Sequence, residues 1–237
     1  MVGHILKSRK FDVRVYDIRK VATENIAKKG AKIAESLDQL GRDCDLVVVM
    51  VGYDHQVRQV VTDLTEIGKK GAVIVIAATS HPDLIIECGE IAKKRGMSVI
   101  DAPVCFGLGG ARDGTLVSLV GGKADDVEKA RPVLECYSRA VHHLGELGAG
   151  EIGKTLNNML HWAHCIANYE AILLGKVYGL DAQKVRETWE RVTRQNRSRT
   201  KMNQTRIQAR RDDRTPQDQS GRRDTLRTSS PKAPWAC

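Results

Sequence analysis

Short apolar runs that alternate with amphipathic segments constrain this chain more than any other feature. Asp45-Leu-Val-Val-Val-Met-Val51 is a continuous apolar run of the kind found in a parallel strand covered on both faces. Ala72 to Ala77 and Met97 to Ile100 repeat the pattern, with helical periodicity between them over Asp54 to Ile67 and Asp83 to Lys94. Strands alternating with helices of about 10–15 residues predict right-handed βαβ units and a parallel sheet. The same spacing predicts a helix over Gly3 to Arg9 and a strand over Val13 to Tyr16 that ends in Asp17. A helix over Val21 to Lys29, a turn at Gly30, a short strand near Ala31 to Ile33 and a helical segment at Leu37 to Leu40 follow. Further on come a helix over Ala124 to Glu135 and a last strand over Ala140 to Leu144. Met50, Val51 and Gly52 then fall at the carboxyl edge of the sheet, where ligands sit in open α/β folds.

A chain of 237 residues suits one large domain or two smaller ones. Its longest apolar runs are strand-sized, well short of the roughly 20 residues of a spanning helix, and its first segment is charged rather than signal-like. Six cysteines, at 44, 88, 105, 136, 165 and 237, show no paired spacing, which suits reduced thiols in a cytoplasmic protein. The net charge of +9 has a definite location. Of the 38 Lys and Arg, 13 lie from Arg191 onward against 4 Asp and Glu, so 25 of each sign remain in the preceding residues. The body is neutral, and the basic character belongs to the tail.

Two stretches carry candidate chemistry. In Gly148-Ala-Gly-Glu-Ile-Gly-Lys154-Thr-Leu-Asn157-Asn158, the lysine and the two asparagines stand at i, i+3 and i+4, so a helix places all three on one face. Gly148 and Gly150 permit a sharp turn into that helix or a close backbone approach to a ligand. A lysine held in a cleft serves as a general acid or base, because burial disfavours its charged form. On these residues alone, a solvated lysine on an amphipathic helix is the more ordinary outcome. The second stretch runs Asp101-Ala-Pro-Val-Cys105-Phe106-Gly107 into a segment with six glycines between 107 and 122, the composition of a backbone that cradles an anion.

Asp-Ala-Pro-Val with a glycine-rich loop and Gly-Thr-Leu, followed some thirty residues later by Gly-x-Gly-x-x-x-Lys-x-x-Asn-Asn, resembles the β-hydroxyacid dehydrogenase family, which includes 3-hydroxyisobutyrate dehydrogenases and relatives of 6-phosphogluconate dehydrogenase. The resemblance covers about residues 1 to 190. It implies a hydride passed between a nicotinamide cofactor and a small 3-hydroxy acid, with Lys154 as general acid/base and Asn158 beside it. It also implies that Cys105, Phe106 and Gly107, where the family usually has Ser-Gly-Gly, hold the substrate carboxylate, with Asn157 secondary. A thiol at 105 is a weaker donor than a hydroxyl, and a phenyl ring at 106 narrows the pocket. Cys105 as a nucleophile is a minor alternative, since no histidine is placed by the sequence to activate it. For the cofactor, the resemblance implies Asp17 on the adenosine ribose, with Met50, Val51 and Thr79 along its path. It favours NAD, while Arg19 and Lys20 leave NADP open. Gly3 matches the end of a Gly-x-Gly-x-x-Gly loop, so the sheet is expected to lack its first strand and the leading glycines.

The expected architecture is therefore an α/β fold with a Rossmann-type parallel sheet lacking its first strand over residues 1–145. The start of an all-α domain follows over residues 146–193, and a disordered basic tail over residues 194–237. In the helix after Lys154, expected to run to Tyr178 and stop at Gly179, His161, His164 and Cys165 have metal-like spacing. No second ligand cluster accompanies them, so they are taken as packed residues and no metal is expected. A homo-oligomer is implied for full-length relatives, no membrane partner is expected, and nucleic acid is an unfavoured partner. The tail either attracts phosphate or reflects a shifted reading frame. An inactive remnant or a non-catalytic binding protein is the alternative to a dehydrogenase.

Overall fold

The computed structural model describes residues 1–189, 191 and 192. Its centre is three parallel strands, β3 (Leu46–Val49), β4 (Val73–Ile76) and β5 (Ser98–Asp101), paired in that order. Helix α4 (Asp54–Ile67) connects the first two and α5 (Pro82–Lys93) the second two. All four residues of β4 are buried. Ile74 and Ile76 enter a core cluster with Val57, Val61 and Leu64 of α4, whereas Val73 and Val75 enter a second cluster with Ile100 and Leu116. Burial on both faces is why this strand reads as an unbroken apolar run.

The helices start where local chemistry favours it. Ser36 caps α3 (Leu37–Asp43) by accepting the Gln39 N–H at 3.1 Å. The Gln56 side chain reaches back to accept the Gly52 and Tyr53 N–H groups before α4. Pro82 occupies the first turn of α5, where its missing N–H costs nothing.

After β5 the chain departs from the expected pattern. The glycine-rich stretch 107–122 is not one cradle: it folds into α6 (Gly107–Asp113) and β7 (Leu116–Gly121). Positive φ at Phe106 and Gly114 bounds the short helix. Strand β7 runs antiparallel to β5 and to β6 (Val104–Cys105), so the sheet is parallel-rich rather than wholly parallel. The segment between β5 and β7 is taken up by β6, which pairs with β7, and by the short α6, so the chain doubles back instead of crossing over. Helix α7 (Ala124–Leu134) then restores a parallel crossover to β8 (Ser138–Gly145).

Strands β1 (Arg14–Val15) and β2 (Lys32–Ile33), joined by α2 (Lys20–Ala27), form a separate two-stranded parallel sheet. The carbonyls of Val13 and Val15 accept the N–H groups of Lys32 and Ala34, each at 2.9 Å. The other edge of β1 and the outer edge of β3 face a common cleft of about 1610 Å³. Among the described residues no strand pairs with either edge, as a sheet lacking its first strand requires. Helix α1 (Val2–Ser8) borders this cleft through Val2 and Ile5. Its His4 bonds the carbonyls of Ala111 and Arg112, which ties the helix to the end of α6.

Residues Met1–Ala163 form one compact unit, and a second begins at His164. Helix α8 (Ala149–Val177) is a single run of 29 residues, and Gly179, at φ 77°, follows its end. Residues 182–189 are again helical, and the tail expected over 194–237 lies outside the described residues. No helix among the described residues is long and apolar enough to cross a membrane.

Tyr137 lies in the second core cluster with no exposure and no partner for its hydroxyl, and burial pushes its ionisation well above the ordinary range. An orphaned buried hydroxyl costs more than its removal. Tyr137→Phe is therefore expected to hold or raise stability by about 1 kcal/mol, read as an unchanged or higher melting temperature. A clear drop would show that the hydroxyl has a partner in solution.

Candidate functional site

The carboxyl ends of β3, β4 and β5 share one edge of the sheet because these strands run in the same direction; β8 runs the opposite way, but Gly121 of β7 pairs with both Asp101 and Gly145, which brings the end of β8 beside the end of β5. Met50 and Val51 follow β3, Thr79 follows β4 by three residues, and Asp101 ends β5. The turn Glu146–Gly148 leads from β8 into α8. Gly148 adopts φ 92°, the left-handed geometry the sequence anticipated for a sharp entry into the helix.

Lys154, in the second turn of α8, is half-buried. Its ammonium donates to the Val104 carbonyl at 2.8 Å and lies 3.7 Å from the Cys105 sulfur. The structure thus brings together the two stretches singled out in the sequence. Asn158, one turn on, is half-buried on the same face, while Asn157 is exposed. Phe106 adopts φ 82° and ψ 10°, a conformation that a bulky residue rarely accepts, and Gly107 follows at φ 55°. The Arg139 guanidinium lies 4.4 Å from the centre of the Phe106 ring and holds it in place.

Three of the five residues expected along a cofactor line the large cleft, and Gly3 and Thr79 do not. Asp17 lies just past β1, and Met50 and Val51 just past β3, all three lining it. The Asp17 carboxylate accepts the Arg19 N–H at 2.8 Å and sits near the Arg19 guanidinium, which together hold its pKa below the usual range. It is therefore ionised and able to accept from hydroxyl groups. Gly3 sits in the first turn of α1 with open space where a side chain would begin. Thr79 is exposed while its neighbour Ser80 is buried.

Two acids that the sequence reading did not single out organise the lysine helix. Asp101 is fully buried, and its carboxyl oxygens accept the N–H groups of Gly148 and Glu151, each at 2.8 Å. These amides open a 29-residue helix, so the carboxyl caps α8 from a strand distant in sequence. A Cβ on Gly121 or Gly150 would meet the same carboxyl, which explains a glycine at each position. Glu151 is also fully buried, yet neither carboxyl oxygen has a hydrogen-bond partner. Burial pushes it up to about 8, against the pull of the nearby Ser80 N–H. The Gly-x-Gly ahead of Lys154 was the available signal: Gly150 makes room for Asp101, and Gly148 supplies the left-handed turn whose N–H Asp101 accepts.

A sheet of this topology with a lysine helix at its carboxyl edge defines a dinucleotide-binding α/β protein. Residues 1–145 match the NAD binding domain of 6-phosphogluconate dehydrogenase, and the chain belongs to that family. It is 34% identical over 185 residues to a 3-hydroxyisobutyrate dehydrogenase of Pseudomonas aeruginosa, covering 76% of this chain and 61% of the relative. An NAD-dependent L-serine dehydrogenase of the same organism is 32% identical, with 81% and 65% covered. Among solved structures, a 3-hydroxyisobutyrate dehydrogenase of Mycobacterium tuberculosis with L-serine superposes with a TM-score of 0.75 at 30% identity. That match covers 79% of this chain and 64% of the other. The chain spans 54% to 65% of the length of the curated relatives it matches.

Proposed function

We propose that this chain carries the cofactor-binding and proton-transfer portion of an NAD-dependent dehydrogenase acting on a small 3-hydroxy acid such as 3-hydroxyisobutyrate. The observation that carries this reading is Lys154, half-buried at the carboxyl edge of an NAD-binding sheet and oriented by Val104. The nicotinamide, when bound, takes up or gives the hydride. Lys154 moves the proton at the substrate hydroxyl oxygen: its bond to Val104 fixes the amine and leaves its other positions for that oxygen. Asn158 shares its face and holds the substrate beside it, with Asn157 secondary. Cys105, Phe106 and Gly107 grip the carboxylate.

At the cofactor, Asp17 receives the adenosine ribose hydroxyls, since its carboxylate is ionised, and this favours NAD. The Arg19 guanidinium already faces Asp17 and is less free to meet a 2′-phosphate. Met50 and Val51 line a cleft of about 1610 Å³, which has room for the dinucleotide; Gly3 and Thr79, which do not line it, are given to its path by the family resemblance. The exposed apolar side chains of Met159, Leu160 and Trp162 on α8 support a homo-oligomer. The cysteines at 44, 88, 105 and 136 are free thiols, in keeping with a cytoplasmic setting.

The test is a titration of the purified chain with NADH, following nicotinamide fluorescence and the melting temperature together. Saturable binding is expected, with a melting point that rises with ligand concentration, and Asp17→Ala should weaken it. A chain that melts cooperatively yet neither binds NADH nor gains stability from it would overturn the reading.

A further inference from the structure

We propose that Cys105 and Lys154 form a peroxide-sensitive pair, in which oxidation of the thiol leads to a covalent sulfur–nitrogen bond that withdraws the lysine amine until a thiol reductant restores it. The effect on turnover rests on the role given to Lys154 above; the bond itself does not. The Lys154 Nζ lies 3.7 Å from the Cys105 sulfur, and two separate elements hold the contact. Cys105 ends β6, where it pairs with Val117 of β7. Lys154 rides on α8, whose start is fixed by the Asp101 carboxyl through the Gly148 and Glu151 amides. The bond to the Val104 carbonyl at 2.8 Å then keeps the amine beside the sulfur. Other thiols of the chain lack such a neighbour. Cys88 has no exposure and burial pushes it up to about 11, while burial also raises the Cys44 thiol. The Cys136 sulfur donates instead to the Pro132 carbonyl at 3.2 Å. The reactive unit is thus the pair, and the half-buried lysine places it at the edge of the candidate substrate site, within reach of a molecule as small as hydrogen peroxide.

The chemistry balances in two steps. In the first, the Cys105 sulfur attacks hydrogen peroxide: the O–O bond breaks, sulfur gains a hydroxyl as a sulfenic acid, and the other oxygen leaves as water. Sulfur is oxidised by two electrons and the peroxide is reduced by two. A cation in contact with the sulfur favours this attack. In the second step the Lys154 amine, having given one proton to solvent, attacks the sulfenyl sulfur. The S–O bond breaks, hydroxide leaves as water with a second proton from nitrogen, and a sulfur–nitrogen bond remains, as when a sulfenic acid condenses with a backbone nitrogen. The flexible lysine stem closes the distance without moving either element. Two equivalents of a thiol reverse the bond: the first takes the sulfur and frees the amine, and the second returns the Cys105 thiol and leaves the reductant as a disulfide.

The experiment treats the purified chain with hydrogen peroxide, quenches with catalase and maps the tryptic peptides by mass spectrometry without reductant. The peptides that hold Cys105 and Lys154 should appear joined, two hydrogen atoms lighter than their sum, with no cleavage after Lys154. Dithiothreitol should restore both peptides and the cleavage. A chain unfolded in urea before the peroxide is added should not form the link, because only the fold brings the two groups together. In Lys154→Met the sulfenic acid has no amine to meet, and dimedone should trap it on Cys105. Turnover of 3-hydroxyisobutyrate should fall in proportion to the joined fraction and return with dithiothreitol. A Cys105 that stays a free thiol, or a dimedone adduct on Cys105 of the unsubstituted chain with Lys154 still cleaved, would overturn the proposal. The mapping needs neither NADH nor turnover. A chain that forms the link but turns over no hydroxy acid therefore fails the dehydrogenase reading alone, and one that binds NADH but forms no link fails only this proposal.

Discussion

Replacing Asp101 with alanine is expected to lower the stability of the Met1–Ala163 unit by about 3–5 kcal/mol, from two buried donors left without a partner and a lost helix cap. The Gly148 and Glu151 amides lie beneath Leu119 and the glycines at 121 and 150, where water has little room to replace the carboxyl. At about 2–4 °C per kcal/mol for a unit of this size, the melting temperature should fall by on the order of 10 °C. Asp101→Asn keeps the shape and one acceptor but turns an NH₂ toward an N–H, so it should recover only part of the loss. Thermal denaturation of both variants checks this. A fall of only a few degrees for alanine would mean that α8 holds its start by other contacts. Asp101 is thus a positioning residue: through α8 it sets where Lys154 meets Val104.

Lys154→Met is expected to lower turnover of 3-hydroxyisobutyrate with NAD by about two to four orders of magnitude, the usual contribution of a placed acid/base. Methionine keeps most of the aliphatic stem, and the lost bond to the Val104 carbonyl costs about 1 kcal/mol. The melting temperature should therefore shift by only a few degrees. The dissociation constant for NADH should stay within about twofold, because Asp17, Met50 and Val51 line a cleft that does not include Lys154. Steady-state turnover and NADH fluorescence, measured on the same preparation, separate these effects. Equal turnover in the variant would remove Lys154 from the mechanism. Weakened NADH binding at equal turnover would make it a cofactor residue instead.

The strands and helices were legible in order because their signals are local. Val47, Val49, Ile74 and Ile76 sit in runs whose length and two-sided burial mark parallel strands. Helix α4 shows Val57, Val61 and Leu64 at helical spacing, and its observed bounds, Asp54–Ile67, match the expected ones. The i, i+4 relation of Lys154 and Asn158 is likewise fixed by helical geometry alone, as is the left-handed turn at Gly148. The gap between β1 and β3 could be anticipated because Gly3 matches the end of the Gly-x-Gly-x-x-Gly loop that the family resemblance places after a first strand.

What the sequence alone could not decide depends on contacts between residues far apart in the chain. The glycine-rich stretch after Phe106 looks like a single anion cradle. Only pairing of Leu116–Gly121 with β5, β6 and β8 turns it into an antiparallel strand. Asp101 reads as the first letter of a motif, and nothing nearby shows that its carboxyl caps a helix 47 residues later. Glu151 looks like an ordinary acid in the first turn of a helix, where charge is favoured. Packing removes its water and leaves its carboxyl oxygens without a partner, and burial pushes it up to about 8. Sequence determined the elements and the face that carries the lysine, because periodicity is a property of neighbours. Tertiary structure decided which carboxyl accepts the helix amides and which is buried without a partner, because desolvation and hydrogen-bond supply are properties of a place in space.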